Sequence, residues 1–379
     1  MKIRYFDHAA TTYIKGEVLK EMLPYFRINY GNASSLYSIG RQGKKAIDIA
    51  RKRVANAINA KTKEIYFTSC GSESDNLAIK GIVYENRGKH IITSKIEHPA
   101  VLNTCKSLEK EGYEITYLNV DRNGRINIDE LEKSIREDTV LISIMFANNE
   151  IGTIEPIEEI GKIAKKNNII FHTDCVQAIG NIKIDVNKMN IDLLSMSAHK
   201  FYGPKGIGAL YVKENIKFRK LQDGGHQERN KRAGTENVAG IVGMGKAIEI
   251  ANINIDRYNF KLKVLRDYCI EQIIKNFPNV KINGSRINRL PGNINISFPN
   301  LNGEELLLKL DEYGICVSSG SACSSGDEKP SHVLEAIGVK QELLKGTIRI
   351  TLGEENTKQD IDFLLKCLKI IIPKISKTN

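Results

Sequence analysis

The sequence predicts an α/β protein: a large domain with a mainly parallel sheet flanked by helices, and a smaller α+β domain. From about Glu17 to Val212, short apolar runs bounded by turn residues alternate with amphipathic helical patterns. This alternation indicates parallel strands covered on both faces. In the last third of the chain, shorter strands are interspersed with helices, as in α+β regions. The chain has 379 residues, of which 41% are hydrophobic, so it is long enough for two cores.

Each predicted element follows from a local pattern. Apolar runs predict strands at Glu64–Thr68, His90–Thr93, Val140–Met145, Ile169–His172 and Leu193–Met196. Amphipathic patterns predict helices at Gly40–Ile58, Ala100–Glu111, Ile128–Ile135 and Pro156–Lys166, and a long helix at about Asn237–Lys275. Hairpin-like strands are predicted at Gly292–Ser297 and Gly346–Leu352. We assign residues 15–250 to the large domain, and residues 1–14 and 251–379 to the small one.

Composition narrows the class of protein. No apolar run reaches the roughly 18 residues of a membrane-spanning helix, and residues 1–7 lack the apolar stretch of a secretion signal, so we expect a soluble cytoplasmic protein. The seven cysteines are scattered and form no C-x-x-C pair, which argues against disulfides and a metal site. The net charge of +11 is spread over dispersed lysines, so direct nucleic-acid binding is not predicted.

Two residues that follow predicted strands suit an aldehyde cofactor with a ring nitrogen. Lys200 comes after a strand and before the Gly-rich turn 203–208, where a lysine can form a Schiff base. Asp174 lies at the tip of a buried strand, where a carboxylate is costly unless paired, and a pyridinium nitrogen is such a partner. Gln177, three residues on, could bond the phenolic oxygen. Taken singly, such residues are often a turn lysine and a helix cap.

A phosphate site and an imidazole add to this set. The segment 68–76 follows a strand and opens a helix, so backbone N–H groups near Gly71 and the Ser72 hydroxyl can receive an anion there. The alternative is a plain N-cap. His98 lies between a strand and a helix, where it can stack on a planar cofactor and exchange protons, although a lone histidine before proline is more often a capping residue.

The last two candidates are a thiol and a guanidinium. Cys323 lies amid Ser and Gly residues, which predicts an exposed, mobile thiol that could carry sulfur. Ser331 is predicted to cap the helix that follows and ends near Gly338. Arg349, on a predicted strand, is the candidate for binding a substrate α-carboxylate in a bidentate manner.

Taken together, these segments resemble the cysteine desulfurases of the NifS/IscS type, which belong to the class V aminotransferase family and have the PLP-dependent transferase fold type I. The resemblance covers nearly the whole chain. Its motifs are Phe6–Thr12, Tyr30–Ser35, Glu73–Asn76, Ala147–Gly152, Ser197–Lys200, Gly224–Glu228, Arg232–Asn237 and Ser318–Cys323. At four motif positions, Ala33, Tyr37, Ser72 and His226, the chain departs from the common residue, but no catalytic group is lost.

The resemblance implies a reaction and a set of roles. The activity is conversion of L-cysteine to L-alanine, with transfer of the sulfur to Cys323 as a persulfide. Lys200 binds pyridoxal 5′-phosphate covalently, Asp174 pairs with its ring nitrogen, His98 stacks and acts in acid–base catalysis, and Gln177 contacts the phenolate. Gly71, Ser72, Ser197 and His199 hold the phosphate, with Thr235 from a second subunit of a homodimer. Asn149 and Arg349 hold the substrate carboxylate.

The implied partner is a sulfur-acceptor protein, either an iron–sulfur scaffold or a tRNA-thiolation enzyme. IscS-type members dock their scaffold through a longer tail than the one after Ile372, so the acceptor stays open. Alternatives remain within and outside this class. A selenocysteine lyase and an aminotransferase share the fold, although the Cys323 segment disfavours the aminotransferase. The alternative from a different functional class is a basic RNA-associated or scaffold protein whose active site is vestigial.

Overall fold

The architecture is seen in a computed structural model, which describes residues 2–319 and 330–375. Its helices are α1 Gly16–Met22, α2 Pro24–Arg27, α3 Ser38–Ala57, α4 Gly71–Val83, α5 Pro99–Lys110, α6 Ile128–Lys133, α7 Ile157–Lys166, α8 Gln227–Asn230, α9 Val238–Asn276, α10 Gly303–Asp311, α11 His332–Ala336, α12 Gln341–Leu344 and α13 Lys358–Ile375. Its strands are β1 Arg4–Tyr5, β2 Ile65–Thr68, β3 His90–Ser94, β4 Glu114–Leu118, β5 Thr139–Ser143, β6 Ile170–Asp174, β7 Leu193–Ser197, β8 Gly208–Val212, β9 Lys281–Ile282, β10 Asn293–Ser297, β11 Ile315–Cys316, β12 Ser318–Ser319 and β13 Thr347–Thr351.

The large sheet has seven strands within the described residues, in the order β2-β8-β7-β6-β5-β3-β4. The neighbours from β7 to β4 pair in parallel, whereas β8 is antiparallel to both β7 and β2. β2 is therefore parallel to β7. The carboxyl ends of all these strands except β8 meet at one edge of the sheet, where sites form in sheets of this kind.

Period-two alternation explains why this sheet is buried on both faces. Ile92, Ile142 and Leu194 pack in one apolar core, whereas their neighbours Ile91 and Leu193 pack in another. Successive side chains of a strand point to opposite faces, so a continuous apolar run serves two cores at once. The predicted α/β class, with a mainly parallel sheet flanked by helices, is thus confirmed. Predicted and observed element boundaries agree within about two residues.

A second region is built on the antiparallel sheet β12-β13-β10-β9. Helix α9 spans the two regions: Met244 packs in the core of the large sheet, whereas Leu265 and Ile270 pack in the core of the second region. Phe6 also belongs to this second core, because β1 pairs with β11. The division at residues 15–250 remains a prediction.

The structure bears on two further predictions from the sequence, one about strands and one about membrane-spanning helices. The predicted strands Gly292–Ser297 and Gly346–Leu352 are observed as β10 and β13. β10 pairs antiparallel with β9, the strand before it in the chain, and also with β13, from which α10, α11 and α12 separate it. Apolar periodicity indicates a strand and does not name its neighbour. In the part of the chain that the structure describes, only α9 is long and apolar enough to cross a membrane, and 67% of its most apolar window is buried inside the protein.

Candidate active site

A cavity of about 390 Å³ lies at the edge of the large sheet where the parallel strands end. Its walls come from the connections that follow β2, β3, β5, β6 and β7, from the segment after β1, and from β13. Its polar lining residues are Cys70, Ser72, Asp75, His98, Asn149, Asp174, Gln177, Ser197, His199, Lys200 and Arg349, and Gly71 lines it too. Most of the predicted site residues, far apart in the chain, therefore meet in one cavity.

Lys200 ends the short 3-10 turn that follows β7. Its Nζ donates hydrogen bonds to the carbonyl oxygens of Ala9, at 2.6 Å, and Ala10, at 2.8 Å. The N-terminal segment thus holds the amine in the cavity wall. The side chain is half-buried, so an aldehyde that enters the cavity can reach the amine.

Asp174 is the last residue of β6 and is buried. Its Oδ1 accepts the N–H of Val176 at 2.8 Å, and it forms no ion pair with any described residue. Burial raises the pKa of this carboxyl, whereas the neighbouring His98 and Lys200 lower it. A buried carboxyl of this kind is completed by a cationic partner, such as a protonated ring nitrogen in the cavity.

The phosphate cradle is the turn between β2 and α4. Gly71 is the first residue of α4, and Ser72 follows it on the exposed side. A Cβ at Gly71 would lie 2.7 Å from Val176 Cγ2, so no larger residue fits there. Ser197 and His199, at the end of β7, line the same cavity. Anions bind at such helix N-termini because the first backbone N–H groups have no intrahelical partner.

Each of the two histidines of the site is oriented by a hydrogen bond to its Nδ1. His98 is the N-cap of α5, and its Nδ1 accepts the N–H of Ala100 at 3.1 Å, which leaves the proton of the neutral ring on Nε2. Burial lowers the pKa of His98. His199 Nδ1 lies 3.1 Å from Thr11 Oγ1, and burial lowers the pKa of His199 to about 4. Both rings are therefore neutral at pH 7.

Gln177 and Thr235 are placed differently from the rest. Gln177 lines the cavity, and its Nε2 donates to the carbonyl oxygen of Ala9 at 3.0 Å, so the amide is oriented by the same N-terminal segment as Lys200. Thr235 is exposed and lies outside the cavity lining. The chain by itself does not bring Thr235 to the site.

The carboxylate-binding candidates, Arg349 and Asn149, line the same cavity. Arg349 on β13 is 2% exposed, and its Nη1 donates to the carbonyl oxygen of Asn149 at 3.2 Å. Its Nη2 donates to Asp7 Oδ1 at 2.8 Å. Its Nε has no hydrogen-bond partner among the described residues. Arg349 and Asn149 both line the cavity, so a carboxylate that enters would meet them together.

The predicted sulfur acceptor, Cys323, lies outside the described residues. Both flanks of its segment are tied to the carboxylate-binding wall. Ser318, before it, pairs with Arg349 in the small sheet. Ser331, after it, caps α11 as predicted, accepting the N–H of Leu334 at 3.2 Å, and donates to Glu150 Oε2 at 2.5 Å.

Three acidic residues near the site have no role in the sequence prediction. Asp7 contacts Arg349, Asp75 lines the cavity, and Glu97 is buried just before His98. Asp7 lies inside the motif Phe6–Thr12, and Asp75 lies inside the motif Glu73–Asn76. Their positions in these motifs were the sequence feature that could have identified them as site residues. Burial, which gives these residues their importance, cannot be read from the motif.

The cavity residues fit pyridoxal 5′-phosphate. Asp75 Oδ1 is buried without a hydrogen-bond partner in the described residues, and burial together with Asp174 raises the pKa of Asp75 far above its usual range. A cavity lined by two buried carboxyls, the N-terminal turn of a helix and a lysine matches a cofactor with a ring nitrogen, a phosphate and an aldehyde.

Comparisons with known proteins agree with this geometry. The profile of the family described as Aminotransferase class-V matches residues 4–364. A cysteine desulfurase IscS of Clostridium botulinum (strain Hall) is 56% identical over 377 residues, which cover 98% of this chain and 94% of that protein. A solved NifS-like protein superposes with a TM-score of 0.93 at 39% identity, covering 98% of this chain and 100% of that one. The structure described as SspA in complex with cysteine superposes with a TM-score of 0.82 at 40% identity, covering 92% and 98%.

Proposed function

This chain belongs to the class-V aminotransferase family, and from that premise we propose that it is a pyridoxal-phosphate-dependent cysteine desulfurase. It takes sulfur from free L-cysteine, releases L-alanine and passes the sulfur on for iron–sulfur cluster assembly or thiolation. The observation that carries the proposal is the convergence of Lys200, Asp174 and Arg349 on one cavity. An amine, a buried acid and a carboxylate-binding cation are the groups that an amino-acid substrate and this cofactor require.

The residues that would hold the cofactor come from several strand ends and line one cavity. Lys200 would bind it covalently, Asp174 would pair with its ring nitrogen, and His98 would stack on its ring. Gly71, Ser72, Ser197 and His199 would hold the phosphate, and Gln177 would contact the phenolic oxygen. When bound, pyridoxal 5′-phosphate supplies an electron sink for the bonds at the substrate α-carbon.

Arg349 and Asn149 orient the substrate by its carboxylate. Arg349 is fixed in a buried position, so its guanidinium can bind the two carboxylate oxygens without reorganising. This places the α-carbon near Lys200, whose Nζ moves the α-proton. His98 is neutral and carries its proton on Nε2. It can donate this Nε2 proton at the face of the cofactor ring. Asn149 is buried, so water would be excluded from the substrate carboxylate on the side of Asn149.

Cys323 receives the sulfur. Its thiol must lose a proton before it attacks, because the thiolate is the nucleophile. An S–S bond forms between Cys323 and the substrate sulfur as the substrate Cβ–S bond breaks. The carbon fragment keeps the electron pair, takes up a proton and leaves as L-alanine. The resulting persulfide is the form in which sulfur reaches an acceptor protein.

The working enzyme is proposed to be a cytoplasmic homodimer. Large apolar side chains are exposed along residues 19–37, and a second copy would cover them: Leu19, Leu23, Phe26, Ile28, Tyr30, Leu36 and Tyr37. Thr235, exposed in the single chain, would then reach the phosphate of the neighbouring copy. The acceptor is an iron–sulfur scaffold or a tRNA-thiolation enzyme.

The test is product analysis with L-cysteine. The wild-type protein loaded with the cofactor should release L-alanine over many turnovers in the presence of a thiol reductant. Without the reductant, it should carry one extra sulfur atom on Cys323 by mass spectrometry. Cys323→Ser should keep the visible absorbance of the bound cofactor and lose the persulfide, because only the acceptor is removed. Lys200→Ala should lose turnover.

Cys70→Ser is the matched control, since Cys70 lies at the cofactor cavity but is not the proposed acceptor. It should keep the persulfide on Cys323. A transferable persulfide on another cysteine of the Cys323→Ser protein would refute the acceptor assignment. Amino-group transfer to a 2-oxo acid, without alanine release from L-cysteine, would refute the desulfurase function itself.

A further inference from the structure

The guanidinium of Arg349 has an acidic partner that the reaction does not use. Arg349 Nη2 donates to Asp7 Oδ1 at 2.8 Å, and the two side chains form an ion pair. Arg349 is 2% exposed, whereas the Asp7 side chain is 17% exposed. A buried arginine is stable only when its charge is paired and its N–H groups are bonded. Asp7 supplies the charge.

The guanidinium of Arg349 keeps N–H donors that no contact with Asp7 or Asn149 uses. Nη1 donates to the carbonyl oxygen of Asn149 at 3.2 Å, and Nε has no partner among the described residues although it is buried. Arg349 lines the cavity. A carboxylate binds an arginine best through two parallel hydrogen bonds. Asp7 and Asn149 hold the guanidinium in place through one N–H each of Nη2 and Nη1, and the second N–H of each of these two nitrogens remains for a carboxylate in the cavity.

Asp7 is itself held firmly. The backbone of Thr351 donates to the carbonyl oxygen of Phe6 at 2.7 Å, and the Thr351 hydroxyl accepts the N–H of Ala9 at 2.9 Å. Tyr5 Oη donates to the carbonyl oxygen of Asp7 at 3.0 Å. The segment that carries Asp7 is thus fixed against the strand that carries Arg349, and two residues later it holds Lys200 through the Ala9 carbonyl.

We propose that Asp7 is a positioning residue for the substrate: it fixes Arg349 in the orientation that binds the α-carboxylate of L-cysteine. This inference rests on the proposed function and adds a determinant of substrate recognition. An arginine side chain has many rotamers, and ordering it on binding would weaken affinity. Asp7 does this ordering before the substrate arrives.

The experiment compares ligands with and without a carboxylate. L-Alanine and ethylamine differ only in the carboxylate, and their binding to the cofactor-loaded protein can be followed by the visible spectrum without turnover. Asp7→Ala should weaken L-alanine binding by about tenfold, which corresponds to about 1.4 kcal/mol. Ethylamine binding should stay within about twofold. The KM for L-cysteine should rise in parallel with little change in kcat.

A conservative variant and a matched control separate positioning from stability. Asp7→Asn keeps an acceptor for Nη2 and should restore most of the L-alanine affinity. Asp360→Asn removes another acidic partner of an arginine near the N-terminus, since Asp360 Oδ1 lies 3.3 Å from Arg4 Nε, but Arg4 lies outside the cavity lining. It should leave both ligands unaffected.

Two results would overturn the inference. In the first, L-alanine binds Asp7→Ala as well as or better than wild type, which means that Asp7 competes for Arg349. In the second, ethylamine binding falls as much as L-alanine binding, which means general damage to the site. Failure of the proposed function is distinguishable, because wild type would then produce no L-alanine from L-cysteine.

Discussion

Glu97 is a single buried residue whose protonation makes the stability of the folded protein depend on pH. It is 1% exposed, lies directly before His98, and its two carboxylate oxygens accept the N–H of Met145 at 3.0 and 3.1 Å. Burial raises the pKa of Glu97 to about 8, although hydrogen bonds from Ser94 and Met145 lower it. The folded protein therefore holds a proton here at neutral pH, which an unfolded chain would not.

The sign of the resulting pH dependence follows from this proton. Below the ordinary pKa of 4.5, Glu97 is protonated in both states. Between that value and about 8, only the folded state holds the proton, so stability falls as pH rises through this window. We expect Glu97→Gln to gain thermal stability over wild type between pH 5.5 and 8, by at most about 1.4 kcal/mol per pH unit.

Thermal unfolding midpoints of the cofactor-loaded proteins at several pH values check this prediction. The control is Glu271→Gln, because Glu271 is an exposed carboxyl on α9 and its replacement should leave the wild-type pH dependence intact. A Glu97→Gln protein that loses stability relative to wild type as pH rises would show that Glu97 is ionised in the folded protein.

Residue identities in the site were predictable, but their environments were not. Lys200, Asp174 and His98 follow strands in the sequence, and parallel topology brings strand ends together, so their meeting could be expected. Asp7, Asp75 and Glu97 gain their importance from burial and from neighbours distant in the chain. Such contacts depend on tertiary packing, which local patterns do not contain.

Among the elements, α11 has the most direct bearing on sulfur transfer. Its N-cap, Ser331, comes eight residues after Cys323 in the sequence. The cap joins α11 to Glu150, and His332 Nε2 lies 3.0 Å from the Glu97 carbonyl oxygen. Val333 and Leu334 pack against the apolar cluster that contains Ile96. α11 thus fixes Ser331, which follows the Cys323 segment in the chain, beside Glu150 and Glu97.

Removal of the cap should therefore affect both stability and transfer. Ser331→Ala deletes an N-cap, which costs about 1 kcal/mol, and leaves Glu150 without its hydroxyl donor. Urea unfolding should show this loss, and the rate of persulfide formation should fall. Asn302→Ala is the matched control, because Asn302 caps α10 by accepting the N–H of Glu304 at 3.0 Å on an exposed surface.

The two variants distinguish a local role from a global one. Asn302→Ala should lose similar stability and keep the wild-type rate of persulfide formation. If both variants slow the reaction equally, α11 has no special role. If Ser331→Ala keeps both stability and rate, the contact with Glu150 is without consequence.

Element types were easier to predict than their pairing. β3 and β7 are buried at every position, so their apolar runs identify them, and Ser331 and the Gly71 turn mark helix starts. β10 pairs with β13, across α10, α11 and α12, as well as with β9, and no local pattern predicts the pairing with β13. Register depends on which faces are buried together, which only the folded chain decides.

At the scale of the whole molecule, the exposed apolar side chains are unevenly distributed. Several lie in residues 19–37, where Leu36 is 88% exposed and Phe26 is 58% exposed. A groove of about 590 Å³ runs beside them, lined by residues between 33 and 52. Apolar patches on this scale mark interaction surfaces, and symmetric dimers are the commonest soluble assembly. A second copy of the chain is the occupant we propose.

Negative charges placed on this surface should both separate the subunits and weaken cofactor binding. The double variant Phe26→Glu, Leu36→Glu would bury two unpaired carboxylates in the interface, a cost large enough to dissociate a dimer. Sedimentation velocity should show a monomer, and cofactor affinity should fall by about tenfold because Thr235 of a second copy no longer contacts the phosphate. Ile287→Glu is the matched control, since Ile287 is 89% exposed but lies outside residues 19–37; it should remain dimeric. A wild-type monomer with full activity, or a double variant that stays dimeric, would contradict the proposed assembly.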